Sequence, residues 1–168
     1  EFLNNLILLK KKKIIKKIGI SLYTVDEFNF IKKKFNFDLI LIPLNFFDRN
    51  FIQKNIQNYM KKNKIEIHIR SIFLQNLLLK PVDQLNRYFK KWNPVLFKWE
   101  KWHIKNNQKK IDTCLSFIKK HKFVNKYVVG LDNLEQLKEI INFRRRKIPK
   151  NLKINDIKFT KPYLWKVI

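Results

Sequence analysis

Two stretches of this chain place polar and charged side chains where backbone geometry can put them to chemical use. The first is IEIHIRSIFLQNLLL, from Ile65 to Leu79. Its opening alternates strictly, so a strand there puts Ile65, Ile67 and Ile69 on one face and Glu66, His68 and Arg70 on the other. A polar row of this kind suits an edge facing water, or the inside of a barrel whose mouth holds chemistry. Arg70 and Ser71 stand at the carboxyl end of that strand, where α/β folds keep their ligands. The second stretch is Gly130 to Gln136, a loop running into a helix start. Free amides at a helix N-terminus attract phosphate, although Asn133 and Gln136 also read as ordinary capping residues. His68, His103 and His121 show no ligand spacing with one another or with Cys114, so no metal site is expected. Cys114 reads as a small core residue on a helix face rather than a nucleophile.

Composition bounds the class of protein. The 168 residues, 45% hydrophobic, suffice for one domain with a core. A net charge of +25, from 38 basic and 13 acidic residues, suggests a phosphate-rich partner, either nucleic acid or an anionic membrane. A genome rich in A and T would also produce this profile, because Lys, Ile, Asn and Phe abound while alanine is absent and glycine numbers only 2. The lysines are spread over the polar faces of expected helices, so a nucleic-acid partner is not expected. One cysteine excludes an internal disulfide and fits the cytoplasm. No apolar run approaches the ~20 residues that span a bilayer.

The elements that would position these residues follow from local signals. Phe2 to about Lys13 reads as the last turns of an amphipathic helix, with its lysine cluster suited to a helix C-terminus and its beginning expected upstream of this sequence. Lys17 to Leu22 is a short strand. Thr24 and Glu27 form a capping box, and Phe28, Ile31 and Phe35 continue at helical spacing. Asp38 to Pro43 is a continuous apolar run, as in a strand covered on both sides. Asp48 is expected to cap the next helix, with Ile52, Ile56, Tyr59 and Met60 as its stripe, and this leads into the strand at Ile65. Three strands joined by two helices make a βαβαβ run, which right-handed crossovers force into one parallel sheet. Asn93 caps and Pro94 opens a further helix, whose stripe Val95, Trp99 and Trp102 is expected to pack on the body of the fold, with an interfacial membrane helix as the alternative. Ile111, Cys114, Leu115 and Ile118 make another helical face. Lys126 to Gly130 is a fourth strand, and the helix after Asn133 turns Leu134, Leu137 and Ile141 inward. Residues 145–168 form a basic tail expected to pack on the domain.

Taken in order, KKIGISLY, FDLILIPLNFFDR, IHIRSIFLQNLLL, VVGLDNLEQLKEI and KPYLWK resemble the carboxyl-terminal half of an aldo-keto reductase, in the branch found near bacterial polysaccharide and sugar-modification genes. The resemblance implies an α/β fold that is a partial (β/α)8 TIM barrel, strands five to eight with their helices, over residues 1–168. A full barrel takes ~250 residues. The first four strands, which carry the family's catalytic aspartate, tyrosine, lysine and histidine, have no counterpart here, so no catalytic residue is transferred. What the resemblance carries over is cofactor-binding surface. Ser21 matches the serine that bonds the nicotinamide carboxamide, while Leu22 and Leu41 stand where the family has asparagine and glutamine. A leucine at 41 can neither donate nor accept. Arg70 stands where many members stack an aromatic ring on the nicotinamide, and its planar guanidinium can stack as well. Phe73, Gln75 and Asn76 match the loop that wraps the pyrophosphate, with Asn76 replacing a glycine. Gly130, Asp132, Asn133 and Gln136 match the grip on the adenosine end. A carboxylate at Asp132 would repel a 2′-phosphate, so of NAD and NADP the former is favoured.

The reading that results is a fragment or split half of an NAD(P)-dependent oxidoreductase acting on carbonyls, inactive alone. Its partners are a dinucleotide cofactor and a small carbonyl substrate in the complete protein, and either the missing N-terminal half-barrel or a second copy to close the open edges. The alternative is a non-catalytic basic module for nucleic acid or anionic membrane.

Overall fold

In a computed structural model, residues 2–165 are described, and they divide into two compact units. The first comprises the chain up to Leu44, Asn50–Arg70 and Lys122–Val128. The second comprises Asn45–Arg49, Ser71–His121 and the chain from Val129 onward.

The first unit holds one four-stranded sheet: β1 (Gly19–Ser21), β2 (Leu39–Pro43), β3 (Glu66–Arg70) and β4 (Lys126–Tyr127). Their order is β1-β2-β3-β4 and every neighbouring pair is parallel, as the βαβαβ reading requires. All four carboxyl ends therefore lie along one edge. Register fixes the faces, because laterally paired residues share a side. Ile40 opposite Ile67 and Ile42 opposite Ile69 are buried on one face. Ser21, Leu41 and His68 share the other, with Glu66 and Arg70 flanking His68 along β3. The expected alternation of β3 is thus observed, with Ile67 and Ile69 buried and the polar row half-buried.

Three helices accompany these strands: α1 (Phe2–Lys11), α2 (Val25–Ile31) and α3 (Lys54–Lys62). The Thr24–Glu27 capping box is formed in full, satisfying the first amides of α2. Phe28 of α2 is fully buried, meeting Phe51 and Tyr59 edge-on at 6.5 and 5.6 Å. Phe35 falls beyond the end of α2. Asp48 is not the cap of α3. A 3-10 turn at Asn50–Ile52 intervenes, and α3 starts after Gln53 without a side-chain cap. Sequence pattern located the helix, but the extra turn displaced its start.

The second unit contains α4 (Asn93–Lys105), α5 (Lys110–Lys120), α6 (Leu134–Ile141) and a short α7 (Ile157–Thr160). Its core is aromatic. Trp99 lies 4.6 Å from Phe46 and 5.7 Å from Phe47 between ring centroids, and Phe159 packs on Phe47, Phe89 and Trp92. The stripe of α4 is rotated from the expected one, burying Leu96, Trp99 and His103 while Trp102 is only half-buried. A buried His103 was invisible to a hydrophobic count because its polarity is satisfied internally. Asn93 sits inside the first turn of α4 rather than at its cap, with Pro94 beside it. On α5 the expected face is buried, and burial pushes the Cys114 thiol far above its ordinary value.

Two further expectations are corrected. β4 is two residues long, and Gly130 lies beyond it. On α6, Leu134, Leu137 and Ile141 are 56, 37 and 69% exposed, whereas Ile140 is buried. Periodicity found an apolar face there, but which face is covered depends on neighbours that periodicity does not see.

His103 gives this unit a pH response. Its Nδ1 faces the Trp99 carbonyl at 2.7 Å, which makes Nδ1 a donor, and its Nε2 faces the Thr113 hydroxyl at 2.8 Å. Burial holds its pKa below the usual 6.5, and His121 is lowered by burial too. Both then take up protons more readily unfolded than folded, so stability is full above pH 6.5 and declines as pH falls below it. Urea denaturation at pH 7.5 and pH 5.5 is expected to show a lower midpoint at the acid value, with a slope bounded by ~1.4 kcal/mol per pH unit for each histidine. His103→Gln is expected to flatten that slope.

Candidate functional site

Parallel strands place the tips of β1, β2 and β3 side by side. Ser21 pairs with Leu41 in register, and Pro43 pairs with Arg70. Ser21 is exposed at its tip. Leu22 turns its side chain into the core, and its carbonyl accepts the Arg70 guanidinium at 3.4 Å. The Arg70 guanidinium lies 4.1 Å from the centre of the Tyr23 ring, a cation–π contact that holds the planar group over an aromatic face. Tyr23 was missed from sequence. Its signal was an aromatic two residues past Ser21 in the β1–α2 turn.

Lower on the same face of β3 is a charge cluster. The Glu66 carboxylate accepts from Lys17, meets His68 Nε2 at 2.8 Å and has Lys126 at 3.6 Å. The Lys17 ammonium first, and His68 second, draw the Glu66 pKa down to about 2.

In the second unit, the loop after β3 is a chain of turns with an uncommon backbone. Ser71, Leu74, Gln75 and Asn76 all have positive φ, at 61°, 49°, 54° and 62°. Three left-handed residues in succession are costly for L-amino acids and are found where surrounding structure enforces them. Asn45, fully buried, is one enforcer: its Nδ2 donates to the Ser71 carbonyl at 3.1 Å, while its Oδ1 accepts the Phe47 and Asp48 amides. Trp99 is another, its indole N–H donating to the Leu78 carbonyl at 3.2 Å. Leu74 is buried and anchors the turn, whereas Gln75 and Asn76 are exposed and their amides donate to no acceptor among the described residues. Such amides form a cradle suited to an anion. Asn76 meets by conformation the demand that glycine meets elsewhere, since asparagine tolerates positive φ better than most residues. Gln75→Gly is expected to stabilise the chain by roughly 0.5–1 kcal/mol in thermal denaturation, and Asn76→Gly by less.

The Gly130–Gln136 segment is organised by its own side chains. Asn133 Oδ1 accepts the Gln136 amide at 2.9 Å, and the Gln136 side chain returns to Asp132, accepting its amide at 2.9 Å and donating to its carboxylate at 3.3 Å. Asn133 and Gln136 therefore cap α6 as elementary pattern reading suggests. Nothing within 4 Å would meet a Cβ at Gly130. Ser21, Leu41 and Arg70 are thus brought together in one unit, while Phe73, Gln75, Asn76 and the Gly130–Gln136 turn belong to the other. Among the described residues, no three His, Cys, Asp or Glu side chains gather as metal ligands, and no helix is long and apolar enough to cross a membrane.

Comparison with known proteins adds to this geometry. The model of the Aldo/keto reductase family matches residues 1–156. The structure is similar to that of the aldo-keto reductase AKR11C1 from Bacillus halodurans in its apo form, with a TM-score of 0.65 at 17% identity, covering 84% of this chain and 50% of that one. The holo form of the same protein gives 0.63 at 15% identity, covering 84% and 49%. At these identities the likeness establishes a shared fold, an arc of the (β/α)8 barrel. The chain spans about half the length of these structures. No curated protein is matched by sequence.

Proposed function

Because the chain belongs to the aldo/keto reductase family, we propose that it is the dinucleotide-holding half of a nicotinamide-dependent carbonyl oxidoreductase, strands five to eight of the barrel, with the reacting groups supplied by the other half. The observation that carries this reading is the loop after β3, whose left-handed turn leaves the Gln75 and Asn76 amides to an outside acceptor such as a pyrophosphate. When bound, the nicotinamide supplies or accepts a hydride.

The residues of this chain serve to hold and orient. The exposed Ser21 hydroxyl offers a hydrogen bond to the carboxamide, and Arg70, held over the Tyr23 ring, offers a stacking surface. Leu41 offers no polar contact, so this half grips the nicotinamide loosely. Phe73 borders the pyrophosphate loop, and Gly130, Asp132, Asn133 and Gln136 form the adenosine end. The Asp132 carboxylate disfavours a 2′-phosphate, so NAD is preferred over NADP. A small carbonyl of the sugar-modification kind is the substrate class, and a cytoplasmic setting suits the lone buried Cys114.

Exposed apolar side chains support a closing partner, either the other half-barrel or a second copy. On α1 these are Phe2, Leu3, Ile7 and Leu8, and on α6 they are Leu134, Leu137 and Ile141. Fluorescence titration of the 168-residue chain tests the proposal. NADH is expected to bind saturably and more tightly than NADPH, Asp132→Asn is expected to narrow the gap, and mixing with aldehydes is expected to give no turnover. Tighter NADPH binding would overturn the NAD preference, and measurable reduction would overturn the assignment of chemistry to the other half.

A further inference from the structure

Beyond α6 the chain carries the run Arg144-Arg145-Arg146-Lys147 outside any helix or strand. It is tied down rather than loose. The Arg146 amide donates to Ser116 Oγ at 2.8 Å, and the Gln108 side chain donates to the Lys147 carbonyl at 2.9 Å. Arg144 and Arg146 share one side of this segment and Arg145 turns away from them. Arg145 reaches the Lys119 carbonyl at the end of α5 at 3.4 Å, while Arg144 and Arg146 line a cavity of about 320 Å³ together with Lys109, Asp112, Lys138 and Glu139.

Charge decides what this cavity can take. Lys109 is engaged by Glu139 at 2.6 Å, which leaves Lys138, Arg144 and Arg146 facing the single carboxylate of Asp112. Two arginines on one backbone segment, held at the Arg146 amide and the Lys147 carbonyl, present guanidinium forks, the geometry that recognises phosphoryl oxygens in pairs. The cavity holds the volume of about ten waters at ~30 Å³ each, more than a bare phosphate fills. We propose that it is a binding site for a small, multiply charged phosphate compound, a phosphate ester of sugar size or a free pyrophosphate. It runs from Lys138 and Glu139 in the middle of α6 to the segment beyond the helix, and none of its lining residues belongs to the Gly130–Gln136 turn, so it shares no residue with the proposed dinucleotide grip.

Calorimetric titration of the 168-residue chain in 150 mM salt tests this, with ribose 5-phosphate, pyrophosphate, ribose and a twelve-residue oligothymidylate as ligands. Saturable one-to-one binding is expected for ribose 5-phosphate or pyrophosphate and none for ribose, and the tighter of the two phosphates identifies the source. Arg144→Gln and Arg146→Gln are each expected to weaken it about tenfold, while Arg145→Gln, which removes the same charge from the other side, changes it less than twofold. Equal losses in all three variants, or binding by the oligonucleotide alone, would show a diffuse cationic field and overturn the proposal. NADH titration of the Arg144→Gln variant keeps the two sites apart: an unchanged affinity is expected, and a loss matching that for phosphate would merge them.

Discussion

Lys161→Ala is expected to be among the most damaging single substitutions in the chain, costing roughly 3–5 kcal/mol. Its ammonium meets the Asp48 carboxylate at 2.9 Å, and both side chains are almost completely shielded from water. Removing the cation takes away the ammonium that the buried carboxylate meets at 2.9 Å, where solvent cannot replace it, and that loss outweighs the modest net worth of the pair itself. The double variant Asp48→Asn/Lys161→Met should recover part of the loss, because the buried carboxylate charge is then gone. A urea midpoint for Lys161→Ala within a few tenths molar of the wild type would show that the pair is not the buried interaction described.

Trp99→Ala carries the next largest expected cost, roughly 3–5 kcal/mol from a large buried ring. Trp99 is 2% exposed, meets Phe46, Phe47 and His103, and pins the Leu78 carbonyl. Trp99→Phe should cost less, retaining much of the packing and losing the indole hydrogen bond. Because Leu78 closes the left-handed loop, Trp99→Phe should also weaken dinucleotide binding under conditions where the variant remains folded. Unchanged cofactor affinity in a folded Trp99→Phe variant would separate the loop's conformation from this bond.

Sequence pattern made the parallel sheet legible because strand alternation and capping are local. β3 was readable from Ile67 and Ile69, and α2 from Thr24 and Glu27. The features that failed depend on distant partners. Asp48 looked like a helix cap because carboxylates often are, yet it is buried against a lysine 113 positions away. For His103 the sequence shows only that it lacks ligand spacing, since nothing local announces that Thr113 and the Trp99 carbonyl satisfy it. Leu134, Leu137 and Ile141 were rightly grouped on one face, but the choice of covered face was not local.

The candidate site divides in the same way. Arg70 at a strand tip and Asn133 at a helix start follow from short-range rules. The left-handed run at Leu74, Gln75 and Asn76 does not, because no glycine marks it and Asn76 is the one residue of the three that favours positive φ. Tyr23 beneath Arg70 and Asn45 beneath Ser71 were also silent, as both act through residues remote in sequence.

Hydrogen–deuterium exchange of the 168-residue chain, with and without saturating NADH, addresses the central claim at the residues concerned. Bound cofactor should slow exchange at the amides of residues 72–76 and 130–136 and leave residues 143–147 unchanged. Saturable binding that protects neither loop, or protection confined to the arginine segment, would contradict the assignment of this chain as the half that holds the dinucleotide.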